Sequence, residues 1–207
     1  MRKWECSAAG ITRKQQVNLL AKELFRKTIH VCTAFVPLLL DIAYWPVICI
    51  LCAVIAVYIV SEVLRQRGIL VPVISAVTAA AARKRDENHF VLGPLTLAFG
   101  VLTAALLFPP QAAAVGILAL AFGDGLASFA GKLCGRIKIP GTAGKTAAGS
   151  LTCFAAIFIS TFAVTGRAFN ALIIGICGMI IELLPLKDFD NFFIPCILSG
   201  VSVLLSL

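Results

Sequence analysis

Between residues 29 and 60 the chain runs apolar for about thirty residues, interrupted by Asp41 and Pro46. A helix needs roughly twenty apolar residues to cross a bilayer, so this run predicts two spans that turn near residues 41–45. Further apolar runs at 91–108, 112–130, 149–165, 168–185 and 190–207 are separated by Pro109-Pro110, a Gly-rich basic loop, Gly166-Arg167 and Lys187-Asp188. The expectation is an all-α polytopic membrane bundle of about seven transmembrane helices. The stretch 69–82 is apolar but only fourteen residues long and predicts a short interfacial or re-entrant helix. Composition agrees, since 60% of the 207 residues are hydrophobic, 14% are charged and the mean hydropathy is +0.99. A soluble domain carries about 25% charged residues.

The net charge of +8 raises the question of a nucleic-acid partner, and the position of the cations answers it. They lie between the apolar runs, with no aromatic-interleaved basic strand of an RNA-binding module, so no nucleic acid is expected. Seven Lys and Arg precede residue 29, five fall in 61–90 and four in 129–148, followed by Arg167 and Lys187. With seven spans all but Arg167 face one side, which the positive-inside rule makes cytoplasmic, leaving the C-terminus on the opposite side. Residues 1–28 then form a cytoplasmic basic segment, too long and too charged for a signal's n-region, ahead of a single integral membrane domain over 29–207. The eight cysteines sit mostly within apolar stretches as small hydrophobes, and Cys49-x-x-Cys52 has no partner pair to complete a zinc shell.

Residues 123–150 hold an intramembrane acid, four cations and a run of glycines. An ionised Asp124 inside a span costs about 2.5–3.5 kcal/mol, so something nearby must offset it. A divalent metal bridging nucleotide phosphates is one answer, because magnesium takes one or two carboxylates plus phosphate oxygens; pairing with Lys132 or Arg136 is the structural alternative. Asp124, Ser128, Gly131 and Gly135 share a helical face that admits either a packed neighbour or a ligand. Lys132, Arg136, Lys138 and Lys145 supply cations to a triphosphate, with glycine N–H groups beside them. Gly144-Lys145-Thr146 is not the end of a Walker A loop, since Ile139 stands where that motif needs glycine.

Near the N-terminus Glu23, Arg26, Lys27 and His30 fall on one helical face, as a topology anchor or as part of a site. His30 is a candidate proton carrier or phosphate donor. Glu62 and Arg65 read as an i, i+3 ion pair. Glu182, Asp188, Asp190 and Asn191 either complete a metal site or cap the last helix, Asp190 being a good N-cap. The seven-span count brings all these groups to one face, where an enzyme joining a cytoplasmic nucleotide to a lipid would need them.

Glu23-x-x-Arg26-Lys27-x-x-His30, Glu62-x-x-Arg65, Gly123-Asp124-x-x-Ala127-x-x-x-Gly131, Lys145-Thr146-x-x-Gly149-Ser150 and Glu182 with Asp190-Asn191 occur in that order. Over residues 20–200 the chain resembles the CTP-dependent lipid kinases: dolichol kinase, phytol kinase and yeast-type diacylglycerol kinase. The resemblance implies transfer of the γ-phosphoryl group of CTP to a lipid alcohol with Mg2+. Asp124 would bind metal, joined by Glu182 or Asp190, while Lys145, Lys132 and Arg136 would hold phosphates and a carboxylate or His30 would take the alcohol proton. The remaining expected nucleotide contacts are Gly123, Gly131, Gly135, Lys138, Gly144, Thr146, Gly149, Asn191, Arg26 and Lys27. Ala148 departs from the family, which often has a carboxylate there. The related phosphatidate cytidylyltransferases end in His-Gly-Gly and Asp-Arg-x-Asp, neither of which occurs here. A small transporter is the other class, and it would place its ionisable groups at mid-depth. Expected partners are CTP, a lipid alcohol and membrane lipids, with a homodimer left open.

Overall fold

The computed structural model describes residues 13–69, 71, 72, 74, 78, 89–142 and 144–205. The interfacial helix expected at 69–82 lies largely outside them. Apolar sequence with few breakers folds here into helices: α1 (Arg13–Cys32), a 3₁₀ turn (Thr33–Phe35), α2 (Val36–Ile42), α3 (Tyr44–Gln66) and α4 (Gly93–Leu107). There follow α5 (Pro110–Leu118), a π-helical segment (Ala119–Asp124), α6 (Gly125–Cys134), α7 (Ala147–Thr165), α8 (Ala168–Leu183) and α9 (Asp190–Leu204). Breaks fall where the chain carries the right residues. Pro110 supplies the fixed φ of a first helical turn after Pro109, Thr146 caps α7 by accepting the Gly149 N–H at 3.2 Å, and Gly166 ends α7 in the left-handed region.

The expectation of about seven transmembrane helices is corrected by the lengths of these elements. Among the described residues three helices are long and apolar enough to cross a membrane: Tyr44–Gln66, the continuous Pro110–Cys134 and Ala147–Thr165. Helix α4 has 15 residues, α8 has 16 and α9 has 15. At 1.5 Å per residue they reach only about 22–24 Å against a hydrocarbon core of about 30 Å. Of the two spans expected from residue 29, the second stands as Tyr44–Gln66 after a break at Ala43, while the first falls short because its helical course is interrupted by the 3₁₀ turn and α2 adds only 7 residues. Apolar residues beyond the helix ends, Val91, Leu92 and Phe108 around α4 and Leu184 after α8, had lengthened those two apparent spans. The loop alternation that sent the C-terminus to the far side required seven crossings and falls with them.

The protein is a helix-rich membrane protein. Its outward faces carry large apolar side chains, among them Ile42 (81% exposed) and Leu107 (70%), which water would penalise and lipid accepts. Its core gathers Val101, Val115, Ile117, Leu120, Ile157, Ile174 and Leu198 around α5 and the π-helical segment. The described cysteines are all free.

Glu62 and Arg65 form the expected ion pair, with Arg65 Nε 2.8 Å from Glu62 Oε2 and Nη2 2.6 Å from Oε1. The pair also holds the chain entering α4. Glu62 Oε1 accepts the Val91 N–H at 2.8 Å, while Arg65 Nη2 donates to the His89 carbonyl at 2.7 Å. Glu62 is 1% exposed while Arg65 is 24% exposed and keeps the His89 carbonyl, so Glu62→Gln should destabilise the protein by about 1–2 kcal/mol. Thermal unfolding in detergent measures this.

Candidate active site

Asp124 ends the π-helical segment, a widened turn inside an otherwise α-helical rod, and is 8% exposed. Its partner comes from α1. Lys27 Nζ donates to Asp124 Oδ2 at 2.5 Å and to the Asp124 carbonyl at 3.1 Å. The alternative offered by local spacing, a pair with Lys132 or Arg136, gives way to a contact across 97 residues, and Lys132 instead approaches Glu23 Oε1 at 3.7 Å. His30 lies one turn beyond Lys27, with Nδ1 3.2 Å from Asp124 Oδ2 but making no hydrogen bond. Burial pushes the imidazole down to about 4, the Asp124 carboxylate opposing, so at pH 7 it is neutral.

The second half of the site is built on the loop between α6 and α7. An antiparallel bridge pairs Lys138 with Thr146, and Ile139 N–H donates to Lys145 O at 2.9 Å while Ala147 N–H donates to Ile137 O at 3.0 Å. Gly144, at φ +91°, turns the chain where a side chain would strain it. This places Lys145 Nζ 3.2 Å from Glu182 Oε1, while Ser150 Oγ lies 3.4 Å from Glu182 Oε2. Gly131 and Gly149 let α6 and α7 meet. A Cβ on Gly149 would come 2.9 Å from the Ala127 carbonyl, and one on Gly131 would come 2.9 Å from Thr146 Oγ1.

The two halves face one cavity of about 480 Å³. Arg26, Lys27, Lys132, Lys145 and Lys187 supply cations to its wall. Glu23, Asp124, Glu182 and Asp190 supply carboxylates, and Ser128, Gly131, Gly144, Thr146 and Gly149 complete the polar lining. Burial, with the charge of Asp124, pushes the Asp190 carboxyl up to about 6. Among the described residues no three His, Cys, Asp or Glu converge tightly enough to hold a metal by themselves. The donor set suits a cation that arrives with its own phosphate oxygens and needs only one or two carboxylates.

Other expected site residues lie off this wall. A Cβ on Gly123 would strike Ile157 and one on Gly135 would strike Thr146, so both serve close packing. Gly135 follows the last residue of α6, where the helical face it was expected to extend has ended. Arg136 and Lys138 are exposed. Asn191 donates to Gly93 O and Thr96 Oγ1, each at 3.3 Å, tying α9 to α4. Asp190 is the first residue of α9 instead of its cap, and accepts the Asn191 N–H at 2.9 Å.

Sequence reasoning missed Lys187, counted only as a topology charge, and the role of Ser150 against Glu182. Lys187 has a φ of +59°, unusual for a residue with a side chain, on the cavity rim. Its only local sign is the Pro185–Asp188 turn. Comparison with protein-family models, with curated proteins and with solved structures gives no match for this chain.

Proposed function

We propose that this protein is a CTP-dependent lipid kinase working at the cytoplasmic face of a membrane. The observation that carries this reading is a single cavity, walled by five cations and four carboxylates, at the end of helices whose outward faces are apolar. Such a wall suits a triphosphate and its metal, and the clustered Lys and Arg favour the cytoplasmic side. Phosphoryl transfer calls for positioning and charge neutralisation more than for covalent chemistry, which fits a site without an activated nucleophile.

In this reading Lys145, Lys132 and Arg26 hold the phosphates, and Lys27 pairs with the buried Asp124 carboxylate and orients it. The lipid hydroxyl oxygen bonds to the γ-phosphorus as the bond from that phosphorus to the β-phosphate oxygen breaks. The products are a lipid phosphate and CDP. The hydroxyl proton passes to neutral His30 Nδ1 or to a carboxylate of the cavity. Asp124 with Glu182 or Asp190 would hold Mg2+, which supplies charge neutralisation on the phosphates when bound.

The test is incubation of the purified protein in nanodiscs with γ-labelled CTP, magnesium and a panel of lipid alcohols. Label should appear in the lipid and disappear with EDTA. Label entering lipid from α-labelled CTP would make the protein a cytidylyltransferase, and no lipid labelling from either nucleotide would refute both chemistries.

A further inference from the structure

Arg136 and Lys138 stand off the polar cavity, exposed, and among the described residues their side chains make no ion pair or hydrogen bond. No Asp or Glu occurs from residue 125 to residue 181 to supply a partner nearby in the chain. Between the two cations Ile137 is 72% exposed, and Leu133, four residues earlier, is 79% exposed. These apolar tips continue a stripe on α6, where the exposed Leu126 and Phe129 precede Leu133 at helical spacing. The arm that carries them is pinned. Residues 137–139 lie antiparallel to residues 145–147, joined by the Ile139 N–H to Lys145 O at 2.9 Å and the Ala147 N–H to Ile137 O at 3.0 Å. Thr142 Oγ1 donates to the Ile139 carbonyl at 2.7 Å, and Gly141 (φ +79°) and Gly144 turn the chain back. The arm thus holds an isoleucine outward between two cations and cannot readily fold it away.

Connectivity fixes where the arm sits. Pro110–Cys134 and Ala147–Thr165 are two of the three helices long and apolar enough to cross a membrane. Residues 135–146 join them, so the chain leaves and re-enters the bilayer at one surface. We propose that this arm is a docking surface for anionic phospholipid, with Leu133 and Ile137 entering the acyl boundary and Arg136 and Lys138 holding headgroup phosphates above them. Water penalises exposed apolar tips, whereas the boundary of the hydrocarbon accepts them. Long cationic side chains lay their stems along apolar surface and keep their charge among the headgroups. Each cation near an anionic leaflet contributes about fivefold in association. A charge that only sets topology needs no apolar neighbour, and a nucleotide contact needs no outward isoleucine; the alternation of both kinds on one pinned arm matches the border between hydrocarbon and phosphate. The proposal stands apart from the kinase reading and takes Arg136 and Lys138 out of the nucleotide site.

The experiment uses the full-length protein carrying Ile137→Trp in nanodiscs of phosphatidylglycerol and phosphatidylcholine in equal amounts, with bromine on the acyl chains of one lipid or of the other. Bromine quenches an indole that it touches, and the signal beyond that of the unsubstituted protein, which has two tryptophans of its own, reports on position 137. Quenching by brominated phosphatidylglycerol should exceed that by brominated phosphatidylcholine about fivefold or more, the contribution of at least one cation. Adding Arg136→Gln and Lys138→Gln, or raising the salt, should remove the excess while leaving quenching by both lipids. Leu133→Trp repeats the measurement if the first variant does not fold. Equal quenching by the two lipids would overturn the proposal, and so would quenching by aqueous acrylamide without quenching by either lipid. Loss of the excess on adding CTP would return Arg136 and Lys138 to the nucleotide and overturn it as well. None of these readouts involves phosphoryl transfer, so failure of the kinase reading leaves this result standing and the reverse holds too.

Discussion

Asp124→Asn is expected to reduce phosphoryl transfer from CTP to lipid by about 10³-fold or more, the scale of losing a preorganised electrostatic group at the reacting centre. The protein should remain folded. Asparagine keeps an oxygen acceptor where Lys27 Nζ now lies 2.5 Å from Oδ2, and the main-chain carbonyl at 3.1 Å continues to hold the ammonium. Lys27→Met should fare worse in stability, because it strands a buried carboxylate with only His30 beside it, a change that costs about 3–5 kcal/mol. Combining Lys27→Met with Asp124→Asn should recover most of that stability and none of the activity. A labelled-CTP assay with thermal unfolding on the three variants tests the set. Wild-type turnover by Asp124→Asn would remove Asp124 from the chemistry.

Lys145→Ala is expected to cost about 10²–10³-fold in kcat/KM for CTP, because it removes one of the cations proposed to hold the phosphates. It also leaves Glu182, 8% exposed, with Ser150 as its remaining polar contact in place of an ammonium 3.2 Å away. Lys145→Arg should restore part of the activity by returning the charge with altered geometry. A variant that binds CTP normally and turns it over normally would contradict the role given to this loop. Because Lys145 sits 24% exposed and Asp124 lies deeper, the lysine variant should lose less stability than the aspartate variant combined with an intact Lys27.

Much of the site's chemistry was legible because a buried ion demands a partner whatever the fold. Asp124 within an apolar run, and Arg26-Lys27 at the mouth of another, are visible as residues that need company. Their pairing was not legible: local spacing offers Lys132 and Arg136 to Asp124, whereas the bond comes from Lys27, on a different helix. The glycines illustrate the same limit. Gly131 and Gly149 read equally well as ligand contacts or as packing positions, and the close meeting of α6 and α7 at Thr146 gives both a packing role while they also line the cavity. Gly123 was assigned by motif and Gly135 by helical spacing, and at each the space a Cβ would need is taken by neighbouring atoms, Ile157 at the first and Gly131 O and Thr146 at the second.

Helical character, membrane residence and the short list of charged residues that must find one another follow from composition and order along the chain, since desolvation acts on every residue wherever it ends up. Which apolar stretch is a long helix and which a short one, and which cation meets which acid, follow only from packing. The length of a helix is set by where its ends find caps and contacts, as at Pro109-Pro110 and Gly166, and not by the length of an apolar run. The joining of Lys27 to Asp124 and of Lys145 to Glu182 depends on α1, α6, α7 and α8 being folded against the π-helical segment, and a one-dimensional chain carries no distance between them.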